Sequence, residues 1–173
     1  MEKQLTTREK SLKTLETSPK RYYKELQAVS IREVIESPVP SLAICRRQLG
    51  EMTAKAIVAM ILTDTALMFN TGQNMNQDQI VNLTEIILED YYYMKLDDLK
   101  LCFKNAMKGR YGQIYRMDAS VILGWLEKYT EERLNEADNV SYENHTSTKG
   151  ESKSETLTQM LDRMEGMRTQ RKS

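Results

Sequence analysis

The spacing of apolar residues along the chain is helical almost throughout. Between Tyr91 and Tyr129, Leu96, Leu99, Cys102, Phe103, Ala106 and Met107 recur at three- and four-residue intervals, the period of an amphipathic helix. Gly109 follows directly, where a helix end most often takes a left-handed residue, and Gly112 permits the bend after it. Asp118 is placed to cap a second helix, whose stripe is Val121, Ile122, Trp125, Leu126 and Tyr129. Upstream, Glu51 to Asn70 is apolar on nearly every side, through Ala54, Ile57, Val58, Ile61, Leu62, Leu67 and Met68. That pattern predicts the central, most buried helix. Asn76 with Gln79 forms a capping-box pattern opening a helix to about Tyr92, with Ile80, Leu83, Ile86 and Ile87 inward. Ser41 to Leu49 predicts a short helix before Gly50.

The ends read differently. Residues 1–17 place Leu5, Leu12 and Leu15 among charges, a marginal helix at best. Ser18-Pro19 is a helix start, Ser30 caps a short helix over Ile31 to Ile35, and Ser37-Pro38-Val39-Pro40 breaks the pattern. Residues 137–155 are polar and nearly free of aliphatics, a composition that predicts a disordered linker. Leu157, Met160, Leu161, Met164 and Met167 then return to helical spacing. The expected organisation is a polar N-terminal extension with short helices (1–40), a helical domain (41–136), the linker, and a short amphipathic helix with a basic tail (156–173). The fold class is all-α: a compact bundle of four or five helices with flexible N- and C-terminal extensions. Ile57, Ile61, Leu83, Ile87, Leu99, Phe103, Ile122 and Trp125 are its expected deep core.

Composition sharpens this picture in a few places. Among 173 residues, seven glycines and three prolines are few for a β-rich fold, and eleven methionines suit an adaptable core or binding face. The formal net charge is zero but unevenly spread: +4 over residues 1–24, −5 over 48–94, +4 over 95–116 and −5 over 117–145. No run of about 20 apolar residues predicts a membrane span. Met1 to Lys24 is polar throughout and has no signal-peptide pattern, so a cytoplasmic setting is expected. Cys45 and Cys102 make neither a disulfide framework nor a zinc motif.

Candidate chemistry is sparse. The single histidine, His145, lies in the polar segment, which argues against the usual general base and a Ser-His-Asp triad. No phosphate-loop signature is present, and no catalytic residue, metal ligand or cofactor is assigned. Glu89-Asp90 and Asp97-Asp98 could hold a divalent cation, but are expected as solvated charges and a helix cap. Lys100, Lys104 and Lys108 step along one helix face, with Arg110, Tyr111, Tyr115 and Arg116 around the glycine turn. Such a face can track a nucleic-acid backbone and stack bases, although a lysine row is more usually the solvated side of an ordinary helix, with both tyrosines packed under the turn. Tyr91, Tyr92 and Tyr93 cannot share one helix face, so at least one is expected at the surface. The tethered stripe Leu157, Met160, Leu161, Met164 and Met167 has the form that lays an apolar face in a partner's groove.

Over about Leu42 to Arg133, the run YYYMKLDDLKLCFKNAMKGRYGQIY and the following MDASVILGWLEKYTEER resemble a family of uncharacterised small helical proteins of bacterial phages and integrated mobile elements. In layout the chain also resembles phage replicative-helicase loaders, which pair a small helical domain with a flexible tail that engages the helicase. No functional residue carries over from the loaders, because no motif is shared. These features together suggest a non-enzymatic adaptor in phage or mobile-element DNA replication. Its expected partner is a replicative helicase or other replication protein, bound through the helical domain and the tail. The alternative is a small nucleic-acid-binding regulator using the basic Gly-Tyr turn.

Overall fold

The structure, a computed structural model, describes residues 7–69 and 71–170, with the side chains of Arg8 and of residues 147–170 excepted. Eight helices are present among them: α1 (Thr7–Thr17), α2 (Pro19–Glu25), α3 (Ile31–Glu36), α4 (Leu42–Leu49), α5 (Glu51–Met68), α6 (Gln77–Asp90), α7 (Leu96–Met107) and α8 (Ala119–Gln170). The all-α class holds, with more helices than the four or five expected. The sole β feature among the described residues is an isolated antiparallel bridge between Ser41 and Lys95. No described helix is long and apolar enough to cross a membrane.

Local signals set most of the helix ends. The Ser30 side chain accepts from the Glu33 amide, and Ser41 does the same for Ile44. The Asn76 side chain accepts from the Gln79 amide while the Gln79 side chain accepts from the Asn76 amide, a complete capping box. Asp118 accepts from the Val121 amide at the start of α8. Ser18 makes no side-chain cap; α2 opens on Pro19 alone. Gly50 (φ +90°) breaks the chain between α4 and α5, and Gly109 (φ +76°) follows α7, both left-handed positions that a side chain would strain.

The eight residues expected in the deep core are all buried. The chain divides into two units, Met1–Arg133, which holds these eight residues, and Leu134–Ser173. The core of the first reaches further toward the N-terminus than the expected boundary near residue 41. Leu15, Ala28 and Val34 are buried in it, with Tyr22, Tyr23, Leu26 and Ile31 packed against it. Each of these short helices carries too few apolar residues to announce a core by itself, yet each contributes one or two side chains to the same interior. The end of α5 departs the other way: Leu67 and Met68 are 72% and 65% exposed, so the helix is not buried all round. Of the three consecutive tyrosines, Tyr92 is the exposed one.

In the second unit, the backbone of 137–155 is helical, as part of α8, where a linker was expected. The segment contains no proline and is rich in Glu, Lys, Asn and Ser. Its polarity removes any core-forming stripe, but a helix already nucleated in α8 extends at low cost per residue. The side chains of Leu157, Met160, Leu161, Met164 and Met167 lie outside the described residues.

Candidate functional site

Helix α7 organises the first unit through polar contacts of two kinds. Its lysines, with Lys95 at its N-cap, bind backbone carbonyl groups at or just beyond the ends of short helices. Lys95 Nζ donates to the carbonyls of Val34 (2.9 Å), Ile35 (2.8 Å) and Ser37 (2.6 Å), closing the end of α3. Lys100 Nζ donates to those of Tyr23 (2.6 Å) and Lys24 (2.7 Å) at the end of α2, and lies over the Tyr23 ring. Lys104 Nζ reaches the Ala28 carbonyl at 3.2 Å. A cation at a helix C-terminus meets both unpaired carbonyls and the negative end of the helix dipole. Burial, and next the neighbouring Lys104 charge, lower the Lys100 pKa.

The expected basic row is therefore divided. Lys100 and Lys104 are half-buried over α2 and the segment after it, whereas Lys108 and Arg110 are exposed. Arg116 pairs with Asp118 at 2.7 Å. Tyr111 is half-buried against the core, with its hydroxyl inside, and Tyr115 is exposed. The five cations are thus split between half-buried Lys100 and Lys104, exposed Lys108 and Arg110, and ion-paired Arg116.

The second kind of contact is an internal ionic cluster at the start of α7. Asp97 and Asp98, expected as solvated charges, are both buried. Asp98 Oδ2 accepts from the Lys95 amide (2.8 Å), so its capping role holds. Its Oδ1 accepts from the Tyr129 hydroxyl (2.8 Å) and from Arg133 Nε (2.9 Å). The Arg133 guanidinium also covers the Tyr93 ring. Asp97 Oδ2 accepts from the Ser37 hydroxyl at 2.5 Å, while its Oδ1 is buried without a hydrogen-bond partner. Burial, above all, raises the Asp97 pKa. Among the described residues no group of three or more His, Cys, Asp or Glu side chains could hold a metal ion. Cys45 and Cys102 are buried and free, and burial pushes the Cys45 thiol up to about 12, which keeps it protonated at neutral pH.

The open feature of the unit is a cavity of about 460 Å³ between α2, the segment after it, α5 and α7. Its floor is Phe103, which is buried and meets Trp125 edge-on at 6.4 Å between ring centroids. Val29, Met68 and Met107 stand at the mouth, all exposed, and Leu26 and Ala28 line it beside them. Met107, expected as part of the inward stripe of α7, lies at this mouth because the helix ends there. Lys20, Lys24, Lys100 and Lys104 also line the cavity, against one carboxylate, Asp64, which pairs with Lys20 at 3.0 Å. The result is an apolar groove with a cationic border. Sequence periodicity could not locate it, because Val29, Met68 and Met107 come from three separate segments and form no local pattern.

No protein-family model, curated protein or solved structure matches the chain.

Proposed function

We propose that this protein is a non-enzymatic adaptor of phage or mobile-element DNA replication that binds a replication protein through its helical domain. The single observation that carries the binding role is the groove. Three large apolar side chains gather around a cavity of about 460 Å³, and an apolar opening with a few polar groups at its border supports a binding role. The setting in replication rests on the sequence resemblance of Leu42 to Arg133. The tail stripe of Leu157, Met160, Leu161, Met164 and Met167 is a second contact in this proposal.

The test is capture from cells carrying the phage or element, with the full chain as bait. Recovery of a replicative helicase or another replication protein is expected, with loss of that protein in a Val29→Asp, Met68→Asp double variant. Recovery of no replication protein overturns the proposal. The alternative of a nucleic-acid-binding regulator rests on exposed Lys108 and Arg110. It predicts affinity for short DNA that falls steeply with salt.

A further inference from the structure

We propose that the groove receives an amphipathic helix whose polar flank is acidic. This deepens the adaptor proposal and rests on it, since it names the chemistry of the segment that the partner presents. Three observations lead there. The first is shape and texture. The opening is apolar and includes Met68 and Met107, whose unbranched, polarizable side chains repack around differing ligands. The second is the mode of recognition that the fold allows. Among the described residues there is no strand, and so no sheet edge to which an extended peptide could add. A helix laid in a groove is the mode that an all-helical surface supports.

The third is charge. Lys20 and Lys24 border the groove on α2, and Lys100 and Lys104 border it on α7, against Asp64 alone. The α7 pair is spaced i, i+4, so the two ammonium groups lie on one face, in register with carboxylates spaced the same way on a facing helix. An ammonium group has three donors. Lys100 uses two on the Tyr23 and Lys24 carbonyls and Lys104 uses one on that of Ala28, so Lys100 keeps one donor and Lys104 two for an incoming carboxylate. The same contacts hold the two side chains in place, which lowers the ordering cost of binding. A nucleic-acid strand fits less well. It needs exposed aromatic platforms, whereas Phe103 is buried and Tyr23 is half-buried beneath Lys100.

The experiment titrates the full chain with two labelled helical peptides of roughly 20 residues, long enough to hold a helix. Both carry leucine at i, i+3, i+4 and i+7; one has glutamate and the other lysine on the remaining faces. The glutamate peptide is expected to bind at least about tenfold more tightly, a difference that shrinks as salt rises. Met68→Asp weakens it by a similar factor with an unchanged melting temperature. Lys24→Glu weakens the glutamate peptide and strengthens the lysine peptide. Equal affinity, preference for the lysine peptide, or absence of saturable binding overturns the proposal. Dodecanoate is the second probe: its binding at the groove with neither peptide bound identifies a small-amphiphile pocket and also overturns it. Failure here leaves the adaptor proposal standing if a replication protein is still captured and lost in the Val29→Asp, Met68→Asp variant. Peptide binding without any such capture overturns the replication adaptor and leaves the groove's preference in place.

Discussion

The two ends of α7 handle exposure in opposite ways. At its start, charged groups are enclosed: Asp98 is fully buried and satisfied by a backbone amide, a tyrosine hydroxyl and a guanidinium. At its finish, apolar groups are left open, with Met107 at a cavity mouth above Phe103. Burial of charge is costly and has to be compensated locally, so the first end is closed to other molecules. Exposure of apolar surface is also unfavourable, and Met107 is left exposed among the described residues. The difference separates a closed brace from an open apolar mouth, although both stand on one twelve-residue helix.

The comparison is broken most severely at the brace. Asp98→Ala leaves the Arg133 charge and the Tyr129 hydroxyl without their shared acceptor. A loss of ~3–5 kcal/mol is expected, read as a large drop in the urea midpoint; a change below 1 kcal/mol would mean that water replaces the carboxylate without difficulty. Lys100→Met keeps the aliphatic stem and removes the donors to two carbonyls of α2. It should cost about 1–2 kcal/mol and raise amide exchange across Pro19–Glu25 more than elsewhere.

Asp97 sharpens the comparison, because it is the one member of the brace left half-satisfied. Burial raises its folded pKa above the unfolded value of about 3.9. The native state thus holds the proton more tightly than the unfolded chain. Its contribution to stability is largest at low pH, declines as pH rises from the unfolded pKa through the folded one, and stays a cost above that. Asp97→Asn keeps an acceptor for Ser37 and removes the charge. Its stability relative to the parent should improve with pH across the acid range and equal or exceed the parent at neutral pH. A variant weaker than the parent at neutral pH would show that attraction to Lys95 outweighs burial. The smallest effect belongs to the groove: Met68→Ser should change stability by less than ~0.5 kcal/mol while measurably weakening the glutamate–leucine peptide.

What was legible in the sequence follows from the range of the forces involved. The Asn76–Gln79 box, the Asp118 cap and the left-handed Gly109 act within a few residues, and each was visible as a pattern. The period of α5 and α7 likewise located Ile57, Ile61, Leu99 and Phe103 inside. The lysine row shows the limit of that reasoning. Spacing of i, i+4 puts Lys100 and Lys104 on one face but does not say whether water or the carbonyls of α2 face them. Asp97 and Asp98 looked solvated because their partners, Ser37, Tyr129 and Arg133, are remote in sequence. The burial of the N-terminal helices escaped for a related reason: α1 packs on α2 and α4, and α3 on α7, contacts between elements that no single short pattern announces.

The small bridge at Ser41 and Lys95 sets a clock on opening. The first amides of a helix have no partner in their own helix and commonly fray. In α4 the Leu42 and Ala43 amides donate instead to the Met94 and Tyr92 carbonyls, each at 2.8 Å, on the far side of α5 and α6. Those two bonds close a long loop of backbone, whose entropy cost is met on each reclosing, and they break only when α4 leaves the turn after α6. Deuterium uptake at Leu42 and Ala43 therefore times the parting of α4 from the turn after α6. These two amides should exchange with the slow residues of the interior, although they stand at the end of a short helix.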